Sequence, residues 1–150
     1  CFPNYLRVLV APGAQDIQAP PIPLHEGTEK LAWGYTDLDT LTVIPQPLSG
    51  LTEIAGFLTI EPATTLTVPI TYRLDPGILR STAKDVYEYR LFLQKQPGMG
   101  DESYTVAVQL PPGTRLNQVT PEPTERQGLW VIFKGNLLKD TTLVISFKVN

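Results

Sequence analysis

The sequence predicts an all-β fold, a mostly antiparallel β-sandwich of immunoglobulin-like general architecture with two pseudo-repeated halves. Three observations lead there. Short runs alternate apolar and polar residues at period two, the pattern of strands with one buried face. Proline, at 15 of 150 residues, is about twice its usual frequency of roughly 5%, and proline breaks helix interiors. Pro and Gly bound the runs at intervals that accommodate about ten short strands, the spacing of a sandwich.

Taken in order, Leu6, Val8 and Val10 alternate within 5–10 and run into Pro12-Gly13. Pro20, Pro21, Pro23, Pro45 and Pro47 mark 19–50 as a Pro-rich insertion, extended and loop-rich. Inside it Leu31, Trp33, Tyr35 and Leu41, Val43 alternate, which predicts strands at 30–35 and 40–44. A strand at 54–60 follows. The clearest run is Leu66, Val68, Ile70, Tyr72 against Thr67, Pro69, Thr71, where Pro69 signals an edge strand or a bulge. Ile78, Leu79, Ala83, Val86, Tyr87 and Arg90 also fit helical spacing, so a helical turn at 79–84 is kept as an alternative. Tyr87, Tyr89, Leu91, Leu93, then Pro97-Gly98-Met99-Gly100-Asp101, then Tyr104, Val106, Val108, Leu110 read as a β-hairpin with a long exposed loop. Strands at 115–119, 128–134 and 141–149 complete the set.

Self-comparison adds a degenerate repeat. Leu6, Val8, Val10, Pro12, Gly13 match Val106, Val108, Leu110, Pro112, Gly113. Gly56-Phe57-Leu58 matches Gly128-Leu129-Trp130, and Leu66, Val68, Ile70, Tyr72 match Leu143, Ile145, Phe147, Val149 in the same order. The alternative is two similar solutions to one packing problem. A half of this size has a marginal core alone. Residues 1–150 are therefore read as one sandwich body or as two closely packed lobes, 1–77 and 85–150.

A net charge of −3 and a pI near 5.1 offer no basic field for nucleic acid. No apolar run approaches the roughly 18 residues of a membrane span, so no direct membrane insertion by this segment is expected. One cysteine and one histidine exclude an internal disulfide and Cys- or His-rich metal sites. His25 lies among prolines and is read as an exposed loop residue, and no nucleophile elbow is present. The carboxylate pairs Glu122/Glu125 and Asp101/Glu102 fall in or beside predicted turns. Asp37 and Asp39 would share one strand face, the one place where a calcium ion is considered. Trp33, Tyr35 and Trp130 are the candidate ligand platform, because Trp and Tyr form hot spots and sugar-stacking surfaces. Against that, all three alternate within strands and would serve a core equally well. Lys84, Lys134, Lys148, Asn136 and Asn150 supply the residue types of a Lys–Asn cross-link, without a spacing that selects a pair. No cofactor is expected, and the chain is read as non-enzymatic.

Asn4-Tyr5-Leu6-Arg7-Val8-Leu9-Val10, Tyr72-Arg73-Leu74, Tyr89-Arg90-Leu91 with Gln94-Lys95-Gln96-Pro97-Gly98, Pro111-Pro112-Gly113 and Asn136-Leu137-Leu138-Lys139-Asp140 together carry a resemblance. They resemble the C-terminal, β-rich extracytoplasmic region of a family of large bacterial membrane-anchored proteins, a domain of unknown function. Lys95-Gln96-Pro97-Gly98 is its most specific element. The resemblance implies a cell-surface or envelope location, a membrane-anchored parent chain, and no catalytic residues. Cys1 is read as a chain boundary rather than a lipid-anchor residue, since a strand begins at once after it. The expected function is a structural or interaction module of a cell-envelope protein. Its expected partners are neighbouring domains of the same parent chain, another envelope protein or a glycan. The alternative is a carbohydrate-binding module using exposed aromatics.

Overall fold

The computed structural model of the chain describes residues 2–21, 41–46, 50–98 and 100–150. Apart from a 3-10 turn at Pro76–Ile78, every regular element among them is a strand. The chain divides into two compact units, Cys1–Pro76 and Gly77–Asn150. Unit 1 holds β1 (Phe2–Val10), β2 (Gln15–Gln18), β3 (Thr42–Gln46), β4 (Leu51–Ile60) and β5 (Thr71–Arg73). Unit 2 holds β6 (Arg80–Ala83), β7 (Val86–Leu93), β8 (Glu102–Gln109), β9 (Thr114–Thr120), β10 (Glu125–Gln127), β11 (Trp130–Leu137) and β12 (Thr141–Val149). The predicted strand at 30–35 lies outside the described residues.

Unit 2 is a two-sheet sandwich. One sheet has the order β6-β7-β12-β9 and the other β10-β11-β8, with antiparallel pairing throughout. Period-two alternation sends Val131 and Phe133 of β11 and Leu143, Ile145 and Phe147 of β12 into one shared cluster with Leu110. Tyr87, Tyr89, Leu91 and Leu93 of β7 and Val106 and Val108 of β8 pack around it. Tyr87 stacks on Phe147 directly across the ladder, with ring centroids 6.0 Å apart. The β6–β7 ladder shifts register between Ser81 and Ala83, and a bulge interrupts β9–β12, because Ser146 pairs with Gln118 and Phe147 with Leu116, leaving Asn117 extra on β9. Its side-chain amide donates to the buried Ser146 hydroxyl at 3.2 Å, so the bulge gives a partner to a buried polar group on the strand face opposite the core cluster.

The strand order differs from that of an immunoglobulin constant domain. Numbered within the unit, the sheets run 1-2-7-4 and 5-6-3, whereas the immunoglobulin constant order is 1-2-5-4 with 3-6-7. The fifth and seventh strands have exchanged sheets.

Unit 1 repeats the last five strands of that topology. Its sheets are β1-β4-β3 and β2-β5, matching β8-β11-β10 and β9-β12 strand for strand. Gly13 and Gly113 turn the corner after the first strand of each set with φ +75° and +74°, the geometry that follows proline in a type II turn and needs no Cβ. Register also corrects the glycine match. Val8 faces Ile54 where Val108 faces Val131, so Gly56 corresponds to Phe133 and not to Gly128. The spacing from Ile54 to Val131 is also that from Leu66 to Leu143, so the halves run without a gap from β4 to the end of β5. The extra chain falls on both sides of β3, the counterpart of β10: most of it precedes β3, and the rest lengthens the β3–β4 hairpin, since Val43 faces Ile54 where Arg126 faces Val131.

The inward row of unit 1 buries Val10, Ile54 and Leu58. On the other face of β4, Phe57 meets Tyr5 edge-on at 5.1 Å across the ladder. Glu53, also buried, accepts a 2.8 Å bond from Arg7. That hydrogen bond, and then the charge, hold the Arg7 guanidinium above its ordinary pKa. A raised pKa keeps its stabilisation below the ordinary arginine value and loses it only in strong alkali, so the pair is unchanged across the neutral range.

Three further expectations are revised. Tyr87–Leu93 and Tyr104–Leu110 do not form a hairpin: β7 pairs with β6 and β12, β8 pairs with β11, and the 94–101 loop crosses between sheets. The alternating run 66–72 enters a ladder only at Thr71. In place of a helical turn at 79–84 there is the strand β6, turned into β7 at Asp85 with φ +61°.

Phe133, with 2% of its surface exposed at the centre of the unit 2 cluster, sets the first prediction. Phe133→Ala is expected to cost about 3–5 kcal/mol, read as an earlier urea midpoint for unit 2 by near-UV circular dichroism.

Candidate functional site

Trp130 is the one predicted platform residue among the described residues, and it is exposed, at 39%. It opens β11, and alternation that buries Val131, Phe133 and Leu137 turns Trp130, Ile132, Lys134 and Asn136 to the outer face. Gln127 of β10 and Gln109 of β8 stand opposite Trp130 on either side. Further along, Lys134 reaches Glu125 at 3.5 Å, and its main chain exchanges bonds with the Thr124 hydroxyl at 2.9 and 3.3 Å. The face is therefore one indole between two primary amides, ending in an ion pair. It can stack one flat ring and offer amide hydrogen bonds, and it holds no acid–base pair. Trp33, Tyr35, His25, Asp37 and Asp39 lie outside the described residues.

Of the other candidate carboxylates, Glu102, Glu122 and Glu125 are engaged with cations. Glu122 holds Arg126 at 2.9 Å, Glu125 holds Lys134, and Glu102 holds Lys95 at 3.4 Å. No cluster of three His, Cys, Asp or Glu that could hold a metal ion occurs among the described residues. Lys84, Lys134, Asn136 and Asn150 are exposed, so no Lys–Asn pair among them sits in a dry, acid-assisted site.

A cleft of about 380 Å³ opens between the sheets of unit 2. Leu79, Tyr89, Val108, Leu110, Pro111 and Phe147 line it together with Gln109. Its walls are mostly apolar, and its one titratable side chain is that of Tyr89.

The most organised polar feature is the 94–101 loop. The Lys95 main-chain N–H donates to Asp140 Oδ1 at 2.8 Å, and Lys95 Nζ donates to the Gly100 carbonyl at 2.7 Å. Lys95-Gln96-Pro97-Gly98 and Asn136–Asp140, both quoted for the resemblance, are thereby joined across 45 residues of sequence. Sequence reasoning did not single out Asp140, although Asp immediately before a strand, where a side chain caps free amides, is a readable signal.

Asp140→Ala is expected to destabilise unit 2 by about 1 kcal/mol and to speed limited proteolysis within 96–101. Asp140→Asn, which keeps the acceptor oxygen, is expected to restore most of the resistance. No family model matches this chain, and no curated protein or solved structure matches it either.

Proposed function

We propose that the chain is a non-catalytic structural or interaction module, one stretch of a tandem array of β-sandwich units in a larger cell-envelope protein. The observation that carries this is the repeated topology: one five-strand pairing scheme, with the same Pro-Gly corner at φ near +75°, occurs in both units. A repeated scaffold is how a chain gains length and spacing, each repeat being one supersecondary unit. The residue resemblance supports the bacterial envelope location and the membrane-anchored parent chain. Neighbouring domains of that parent are the primary partners.

A second reading has one observation in its favour. Trp130, exposed between Gln109 and Gln127, has the ring and the amides that a glycan-stacking site uses. Titrating the chain with soluble oligosaccharides while following tryptophan fluorescence separates the two readings. The module reading expects no saturable change in the wild type beyond that of Trp130→Ala. A saturable change abolished by Trp130→Ala replaces it with glycan binding. Turnover of a glycoside or peptide panel that is lost in Glu122→Gln/Glu125→Gln overturns the non-catalytic reading outright.

A further inference from the structure

In unit 2 the closing strand β12 is laddered on both edges, by β7 over Thr141–Lys148 and by β9 over Val144–Val149. Its inward residues Leu143, Ile145 and Phe147 are 1%, 1% and 4% exposed. The equivalent run of unit 1 keeps the alternation in Leu66, Val68 and Ile70, yet these are only half-buried, and Tyr72 is 42% exposed. Among the described residues, the main chain of Leu66, Val68 and Ile70 has no hydrogen-bond partner. Pairing begins at Thr71, with β2 alone.

The direction of the amides decides what the bare edge can do. In unit 2 the Val149 N–H donates to the Asp85 carbonyl, on the β7 side, and the Asn150 N–H donates to the Gly113 carbonyl, on the β9 side. Successive residues of a strand address opposite neighbours. Leu143, Ile145 and Phe147 therefore turn their amides to β7, and Ser146 turns its amide to β9. At the same spacing Pro69 stands in the place of Ser146. Its missing N–H falls on the β2 side, which is why that ladder starts only at Thr71. On the other side Leu66, Val68, Ile70 and Tyr72 present an uninterrupted row of donors and acceptors. Pro69, which signals an edge strand or a bulge in the sequence, therefore removes a donor from the β2 side alone.

We propose that residues 66–72 form the acceptor edge for a β-hairpin of the β6–β7 type, donated by a neighbouring module. Unit 2 identifies the occupant, since there the same edge of the same strand is covered by β7, with β6 outside it. The donated strand carries alternating aromatic and aliphatic residues on one face, as Tyr87, Tyr89, Leu91 and Leu93 do. Recognition is strand addition, with main-chain bonds supplying affinity and the half-buried apolar row supplying register. The proposal rests on reading the chain as part of a tandem array.

The test supplies the hairpin. A second copy of residues 77–101 is joined directly ahead of Phe2, which reproduces the loop length that links β7 to β8. Residue-resolved hydrogen exchange is then read at Leu66, Val68, Ile70 and Tyr72. Exchange there is expected to slow by at least about tenfold, the signature of a newly closed ladder. An added copy carrying Tyr89→Pro is expected to leave it unchanged. If the fusion does not fold, a free peptide of residues 77–95 added in trans is expected to slow the same four amides. No slowing in either format, or equal slowing by the Tyr89→Pro copy, overturns the proposal. So does slow exchange at these amides in the unmodified chain, as monomer or dimer, because the edge is then already occupied. Enzymatic turnover would sink the module reading without altering the exchange result, so the two failures are distinguishable.

Discussion

The closing strand of a unit carries two rows of main-chain hydrogen-bonding groups and one apolar face, and the rest of the fold is arranged around satisfying all three. Buried N–H and C=O groups left unpaired cost as much as lost hydrogen bonds. In unit 2 this fixes the topology. Both edges of β7 are taken, one by β6 and one by β12, so β8 has no place beside β7. The chain must then cross through the 94–101 loop to the other sheet, where β8 pairs with β11. The Lys95–Asp140 bond ties that crossing to the turn that delivers β12. The strand that closes the core and the loop that permits its pairing are held at one point.

The same logic shows what was legible in the sequence. Alternation reports faces, and the faces are right: Val106 and Val108 turn inward, as do Leu143, Ile145 and Phe147, and the Pro-Gly corners stand where the letters place them. Alternation is silent on which strand lies alongside. Tyr87–Leu93 and Tyr104–Leu110 have matched patterns and an intervening Gly-rich loop, everything a hairpin needs locally, yet long-range competition for the edges of β7 decides otherwise. The clearest alternating run, 66–72, has almost no ladder for the same reason: pattern prepares a strand, and only a neighbour makes one. The three-residue β10 is too short to carry a period. The glycine match failed differently, because Gly56 sits mid-strand opposite Leu6 while Gly128 is in a turn with φ +59°. The residue type is the same and the backbone requirement is not.

Candidate-site residues were less legible than strands. An aromatic in an alternating run belongs to one face or the other, and Trp130 is assigned only once Val131 and Phe133 are known to point into the core. Register then adds Gln109 and Gln127 at its sides, a grouping drawn from three strands that no local spacing encodes.

The distribution of charge bears on what kind of recognition this chain is built for. Arg73–Asp16, Arg126–Glu122 and Lys134–Glu125 all pair at exposed positions, where ion pairs contribute roughly 0–1 kcal/mol and are screened by salt. Such pairs keep the surface soluble and do not concentrate a field on any point. The inner faces are apolar, and no buried side-chain polar atom among the described residues lacks a partner. Specific polarity therefore remains chiefly in the main chain at the sheet edges. There the two edges of the 66–72 run differ sharply, one lacking a donor at Pro69 and the other intact. An edge left unguarded in a monomer invites aggregation, and proteins ordinarily blunt it with charge, proline or a bulge. Here the guard sits on the side that β2 already addresses, and the open side is lined by Leu66, Val68, Ile70 and Tyr72 without a charge. That asymmetry fits an edge that meets its partner strand within a continuous chain of modules, where the donor is tethered nearby and pairs before a stray strand can.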